Sequence, residues 1–162
     1  MKKVVFILLL ALMPVVSMAD DKWPYVCEQS ELQQFNNDRY MNTANSAGAD
    51  YYIDLKSVDI DKKRKLISVW HVRINTPSGR EKQISIMSQY GMNNYSQYGY
   101  SLEKVLYDYS GNKRTFKNIT DYNCDGSVIG SDTYDKLEWG DVLPNSIMEG
   151  ELNFLIKKYN LK

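Results

Sequence analysis

The sequence predicts an α+β fold, a single domain in which an antiparallel sheet of about five to seven strands packs against a C-terminal α-helix. Apolar and polar residues alternate over residues 66–74, which indicates a strand with one buried face. Apolar residues recur at helical spacing over residues 148–159. Because strands precede this single clear helix, we expect the helix to cover one face of the sheet.

The first residues have the three parts of a secretory signal peptide. Lys2 and Lys3 precede an apolar run over residues 4–16, and Ser17-Met18-Ala19 supplies a small-x-small cleavage site. A membrane anchor is the alternative, but the run is shorter than the roughly 20 residues that span a bilayer. We therefore expect residues 1–19 to be removed, leaving one exported domain over residues 20–162 without a transmembrane segment.

The charge balance argues against a nucleic-acid partner. The chain has 20 Lys and Arg against 20 Asp and Glu, and the signal peptide takes Lys2 and Lys3 with it. The mature domain therefore carries two more acidic than basic residues. No global positive field would attract nucleic acid or an anionic membrane.

Two cysteines, Cys27 and Cys124, remain after signal removal. Export places them in a compartment that permits disulfides, so one structural bridge is the simplest interpretation. Two buried free thiols are the alternative. Their separation excludes a CxxC redox motif.

The N-terminal part of the domain is the least regular. Residues 23–27 predict a short strand, and the capping-box spacing from Ser30 predicts a short helix running towards Tyr40. Residues 42–48, rich in Asn, Ala, Ser and Gly, predict a loop.

Residues 51–74 predict a β-hairpin. Residues 51–60 are rich in aromatic and β-branched side chains, and residues 66–74 alternate. The charged residues 59–65 between them suit an exposed connection. We expect Trp70 and Val72 on one face and Val69 and His71 on the other.

The strand pattern continues after the hairpin. Residues 76–79 have the composition of a turn, and residues 82–88 alternate weakly enough to predict a third strand. Further strands are predicted over residues 102–109, 114–122 and 127–134.

The final helix has the clearest signals. Pro144 precedes a capping box formed by Ser146 and Glu149, and two lysines near the end complement the helix dipole. The apolar stripe comprises Met148, Leu152, Leu155, Ile156 and Tyr159.

Residues 121–132 match the spacing of a calcium loop. Asp121, Asn123 and Asp125 fall at positions 1, 3 and 5, Gly126 at position 6 and Asp132 at position 12. Position 12 is the shorter Asp in place of Glu, and the flanking residues indicate strands. A hairpin with an Asp-Gly turn is therefore favoured, and we expect no metal and no cofactor.

His71 is the single histidine of the chain. One imidazole without a second histidine makes zinc an unfavoured ligand, and the sequence pairs it with no nucleophile. We interpret His71 as a half-buried, hydrogen-bonded residue of the sheet. The sequence thus predicts no catalytic residues and a non-enzymatic protein.

The chain contains 13 tyrosines, and four of them cluster in a low-complexity segment over residues 89–100. Tyrosine combines a large contact area with a polar tip, which favours partner recognition. Tyr90, Tyr95, Tyr98 and Tyr100 are therefore candidate partner-binding residues in a mobile or partner-facing loop. Packing at the sheet edge is the alternative, and both stay open at this point.

An ordered series of short motifs resembles the surface-adhesin protein E-like family of Gram-negative bacteria. YYID at residues 51–54, SV at residues 57–58 and VW at residues 69–70 carry the resemblance, and Trp139 ahead of the final helix continues it. The family often has a cysteine after its Tyr-Asp pair, where this chain has Tyr109, so no family disulfide is implied.

The resemblance implies an exported, non-enzymatic binding protein in the periplasm or on the outer cell surface. For adhesins of this kind it implies host matrix or serum proteins as partners. A periplasmic envelope-associated or inhibitor-like module with an unidentified protein partner, stabilised by calcium or not, is the alternative. A homo-oligomer is compatible with either.

Overall fold

The structure is a computed structural model that describes residues 39–45 and 48–162. This part of the chain is mostly β, with seven strands in one antiparallel sheet and two α-helices. The predicted α+β class is therefore wrong, although a single sheet with a C-terminal helix is present. The reason is strand length, because the four central strands have 10 to 13 residues each and outweigh helices of 13 and 12 residues.

The elements follow one another in a simple meander. The sheet has the order β1-β2-β3-β4-β5-β6, and the short β7 pairs with β5. A short 3₁₀ helix, Asn93–Gln97, leads into the fourth strand. The bounds are β1 Tyr40–Asn45, β2 Ala49–Asp61, β3 Leu66–Asn75, α1 Pro77–Gln89, β4 Tyr98–Asp108, β5 Lys113–Asn123, β6 Val128–Thr133, β7 Gly140–Asp141 and α2 Ile147–Lys158.

The predicted hairpin is confirmed. β2 and β3 pair antiparallel from Ala49 opposite Asn75 to Asp61 opposite Leu66, and the intervening charged turn is exposed. The pairing shifts between Asp54 and Asp59, where a bulge interrupts the ladder. Strands β4, β5 and β6 also lie where the alternation predicts them, within a few residues at each end.

Both faces of the sheet bury apolar side chains. One face packs against α2, and its core contains Ile53, Ile67, Val69, Val105 and Leu155. The opposite face has a separate, more aromatic cluster whose buried members are Tyr40, Tyr52, Val72, Ile74, Tyr100 and Leu102. The period-two alternation of β3 assigns alternate residues to the two faces, as predicted.

Helix α2 begins and packs as predicted. The Ser146 side chain accepts a hydrogen bond from Glu149 N at 3.2 Å, which caps the first turn. Leu152 and Leu155 of the predicted stripe are buried against the sheet. The sequence prediction missed that Glu151 is buried beside them, with none of its surface exposed.

The predicted third strand at residues 82–88 is wrong, because these residues belong to α1. Thr76 accepts a hydrogen bond from Gly79 N at 3.2 Å and Pro77 occupies the first turn, so residues 76–79 start a helix and do not form a turn between strands. Helix α1 buries none of its residues. Its weak alternation reflects a largely exposed helix, in which Arg80, Gln83, Ile84 and Met87 form a face that is only half-buried.

The predicted loop at residues 42–48 is also wrong in part, because residues 40–45 form the edge strand β1. This strand is polar and has no apolar alternation. It exists through pairing with β2, where Tyr40 is opposite Asp54 and Asn42 opposite Tyr52. The predicted signal peptide, the strand at residues 23–27 and most of the helix from Ser30 lie outside the described residues.

Candidate binding sites and a buried ionic cluster

A buried ionic cluster joins α2 to the sheet. His71 of β3 lies between two carboxylates: its Nδ1 is 3.0 Å from Glu103 Oε2 of β4, and its Nε2 is 2.9 Å from Glu151 Oε1 of α2. His71 and Glu151 are fully buried. The Nε2 contact lacks hydrogen-bond alignment, so charge attraction dominates it.

Glu151 is held by two hydroxyl groups in addition to the imidazole. Tyr107 OH of β4 donates to Glu151 Oε2 at 2.7 Å, and Thr43 Oγ1 of β1 donates to Glu151 Oε1 at 2.6 Å. Tyr51 of β2 stacks on the His71 ring at 5.4 Å between centroids. One helical carboxylate therefore contacts β1, β3 and β4, and each of its oxygens accepts a hydrogen bond from a hydroxyl group.

The surroundings of this cluster favour its charged form. Burial lowers the pKa of His71, but the Glu151 carboxylate and the hydrogen bond to Glu103 outweigh burial and raise it to about 10. Burial raises the pKa of Glu151, but the His71 charge and the hydroxyl donors outweigh burial and lower it. At neutral pH His71 is an imidazolium ion between carboxylates.

The predicted environment of His71 is correct in one respect and wrong in another. The residue is hydrogen-bonded within the sheet, but it is completely buried and not half-buried. Both ring nitrogens face carboxylates, so this imidazole cannot reach a substrate. Its role in the described structure is to tie α2 to the sheet.

The four candidate tyrosines have different environments. Tyr98 and Tyr100 belong to β4 and are 1% and 2% exposed, so they cannot contact a partner at the surface. Residues 89–100 are therefore not a loop throughout.

Tyr95 donates from its OH to Asp121 Oδ2 at 2.7 Å, and Ser101 Oγ donates to Asp121 Oδ1 at 2.6 Å. Of the four, Tyr90 alone is largely exposed, at 75%.

The calcium-like segment is a hairpin between β5 and β6. Gly126 adopts a positive φ of 80°, and Asp125 Oδ1 accepts hydrogen bonds from the backbone and side chain of Ser127. Asp121 is bound to Tyr95 and Ser101, and Asn123 donates to Ser127. Within residues 39–45 and 48–162 no cluster of His, Cys, Asp or Glu is arranged to hold a metal, and Asp132 joins none.

Cys124 lies at the start of this turn, where its backbone N–H donates to Gln97 O at 2.9 Å. Its predicted partner, Cys27, lies outside the described residues. The disulfide therefore stays a prediction.

A cleft of about 490 Å³ opens on the face opposite α2, near the β2–β3 turn. Its floor includes Ser68 of β3 and Lys104 of β4. Residues 134–139, here called the flap, form its wall. The flap is held at both ends, because Tyr134 N donates to Lys117 O at 3.0 Å and Gly140 pairs with Arg114. We call this cavity the flap cleft.

Lys104 is a partly buried charge in the flap cleft. Its Nζ lies 5.3 Å from the centroid of the Trp70 ring, and it makes no ion pair with any described residue. Burial lowers the pKa of Lys104; the Asp59 carboxylate opposes this shift, and the nearby Lys117 ammonium adds to it. The cleft thus presents a half-buried ammonium group without a bound acceptor.

A second surface lies at the other end of the sheet. Ile86 and Tyr90, one helical turn apart at the end of α1, are exposed together with Met92. We call these three residues the α1 patch. Three exposed apolar side chains within seven residues make this segment a candidate contact surface.

Sequence reasoning missed the residues that build these features. Glu151 lies within the apolar stripe of α2, three residues after Met148 and four before Leu155, and a charge at such a position signals a buried partner. Glu103 interrupts a buried face of β4 in the same way. No local signal indicates the flap cleft, because its lining comes from strands β2 to β6, the β2–β3 turn and the flap.

Comparison with known proteins gives a limited result. No protein-family model and no curated protein matches the chain. Among solved structures, Haemophilus influenzae protein E has a similar fold, with 11% identity, a TM-score of 0.49, and coverage of 76% of this chain and 87% of that one. Its crystal form II gives the same identity and TM-score and covers 91% of that chain. At this level the similarity concerns the course of the chain and carries no functional argument.

None of the helices in the described ranges is long and apolar enough to cross a membrane.

Proposed function

We propose that the chain is an exported, non-enzymatic binding protein that contacts a protein partner through the α1 patch. The observation that carries the proposal is that α1 buries none of its 13 residues while Tyr90, at its end, is 75% exposed. A tyrosine ring provides much contact area with little loss of conformational entropy, which suits it to a protein interface.

The helix is partly supported by the chain, because one face is half-buried and Arg80 Nη1 donates to Cys124 Sγ at 3.1 Å. Its start is fixed by the Thr76 cap, and none of its side chains is fully buried. Helices of this length are marginal in isolation and gain most of their stability from packing. A partner lying on the α1 patch would supply that packing.

Two further parts of the proposal rest on the sequence and on the buried cluster. Export rests on the basic and apolar residues ahead of Ala19. The non-enzymatic character is supported by His71, whose ring nitrogens both face carboxylates in the interior. The sequence resemblance to protein E-like adhesins suggests host matrix or serum proteins as partners.

A binding assay tests the partner. Mature protein, residues 20–162, is titrated onto immobilised laminin, vitronectin and plasminogen. The variant Tyr90→Ser/Met92→Ser is compared with Leu143→Ser, which removes a 66% exposed side chain elsewhere. We expect saturable binding to at least one protein, weakened about tenfold or more in the patch variant, because tyrosine is enriched among the few interface residues that each contribute about 2 kcal/mol or more. Equal loss in both variants would exclude the α1 patch.

Protease treatment of intact cells distinguishes the two locations. Cleavage on intact cells supports a surface adhesin. Protection until the outer membrane is permeabilised points to the alternative, a periplasmic module that binds a protein of the bacterial envelope.

A further inference from the structure

We propose that the flap cleft binds a small organic ligand that combines a carboxylate with an aromatic body. This surface is separate from the α1 patch, because the two lie at opposite ends of β3, and the inference does not depend on the proposed protein partner.

The carboxylate would be bound by the lysines of the floor. Lys104 and Lys117 both line the cleft, on the neighbouring strands β4 and β5, and neither makes an ion pair with a described residue. Lys104 is about half-buried beside the Trp70 ring, so it has lost water without gaining an acceptor. A ligand carboxylate between the two ammonium groups would supply that acceptor.

The aromatic body would lie against the flap. Trp139 and Tyr134 line the cleft and are 37% and 42% exposed, and neither ring stacks on another aromatic ring of the described chain. Leu66 and Leu106 add apolar surface to the floor. Two uncovered rings beside aliphatic side chains favour a flat apolar group over a hydrated one.

The cleft also contains acidic groups, which make a cationic ligand the competing possibility. Asp61 is already paired with Arg64 at 2.5 Å. Asp59 and Asp135 are exposed, whereas Lys104 is partly buried. Charges at exposed positions, Lys117 among them, are screened by water, so the more buried Lys104 ammonium group exerts the strongest field on a ligand. This asymmetry favours an anion.

The size of the cleft agrees with such a ligand. Its volume of about 490 Å³ lies within the range of small-molecule sites. An N-acylated aromatic amino acid has the required carboxylate and ring and is small enough to enter.

Three matched probes test the proposal on the mature protein. N-acetyl-L-tryptophan carries a carboxylate, N-acetyl-L-tryptophanamide has the same ring and no charge, and tryptamine carries a positive charge. Binding is measured by isothermal titration and by the NMR shift of the Trp139 indole N–H. We expect the carboxylate probe to bind at least about tenfold more tightly than the amide, the gain of one charge-assisted contact.

Substitutions of the lysines in the cleft floor test whether they cause the preference for the carboxylate probe. Lys104→Met should reduce binding of N-acetyl-L-tryptophan to the level of the amide. Lys117→Met, at an exposed position that does not threaten folding, should weaken it partially, and Lys63→Met in the β2–β3 turn should leave it unchanged. Thermal melting confirms that each variant is folded. Equal binding of acid and amide, tighter binding of tryptamine, or no binding of any probe would overturn the proposal.

Discussion

His71 Nε2 and Glu151 Oε1 lie 2.9 Å apart, with both side chains fully buried, and this contact joins the middle of the sheet to the C-terminal helix. The two residues are 80 positions apart in the sequence. Burying such a pair costs desolvation free energy, which the hydroxyls of Tyr107 and Thr43 partly offset. The main effect of the pair is therefore to fix the position of α2 on the sheet. Its net contribution to the free energy of unfolding is smaller.

Removing one member of the pair should be strongly destabilising. Glu151→Ala leaves a buried imidazolium ion without its second carboxylate and removes the carboxylate acceptor of the Tyr107 and Thr43 hydroxyls. We expect a loss of about 3–5 kcal/mol in the free energy of unfolding, measured by urea denaturation at pH 6. Glu81→Ala, at an exposed position in α1, is the matched control and should change stability by less than about 0.5 kcal/mol. Similar losses in both variants would contradict this interpretation of the cluster.

The same pair predicts how stability depends on pH. The pKa of His71 is raised from 6.5 to about 10 in the folded state, so its contribution is complete below pH 6.5 and is lost as pH rises towards 10. The pKa of Glu151 is lowered from 4.5, so its contribution is complete above pH 4.5 and is lost as pH falls. The cluster should therefore stabilise the fold most between pH 4.5 and 6.5.

Two measurements check this dependence. Urea denaturation should show a decline approaching about 1.4 kcal/mol per pH unit between the two pKa values of His71, and Glu151→Gln should flatten it. Because the untagged chain has one histidine, its imidazole NMR signal is unambiguous. That signal should not titrate between pH 5 and 8, and a midpoint near 6.5 would refute the charged cluster.

Local signals in the sequence were enough for the β2–β3 hairpin and for α2. The alternation in β3 and the Ser146 cap depend only on residues close together in the sequence. Both features are present in the structure. Strand β1 gave no such signal, since a polar edge strand is fixed by its pairing with β2. Residues 76–79 have the composition of both a turn and a helix start, and in the structure the Thr76 side chain caps Gly79 N and begins α1.

The sites were less accessible to sequence reasoning because they depend on contacts between distant segments. His71, Glu103 and Glu151 meet through the order of the strands and the return of α2, which no spacing reveals. The tyrosine cluster shows the opposite error. Its composition suggested one exposed surface, but the start of β4 within the segment buries Tyr98 and Tyr100.

The predicted disulfide between Cys27 and Cys124 can be tested directly. Non-reducing peptide mapping of protein purified from the periplasm should recover the two cysteines in one cross-linked peptide pair. A bridge closing so long a loop should stabilise the fold by roughly 2–5 kcal/mol, so Cys124→Ala should lower the urea midpoint. Recovery of two titratable thiols per unfolded, unreduced chain would exclude the bridge.

Substitution by alanine at two glycine positions should change the free energy of unfolding in opposite directions. A Cβ on Gly79, in the first turn of α1, would lie 1.8 Å from the carbonyl oxygen of Gly48, so the helix start would have to move away from the chain ahead of β2. We expect Gly79→Ala to cost about 1–3 kcal/mol. A Cβ on Gly150, inside α2, meets no atom within 4 Å, and Gly150→Ala should stabilise by about 0.5–1 kcal/mol because glycine loses more conformational freedom in a helix. Thermal and urea unfolding of both variants give the sign of each change. If Gly79→Ala leaves the free energy of unfolding unchanged, α1 and residue 48 do not pack closely against each other.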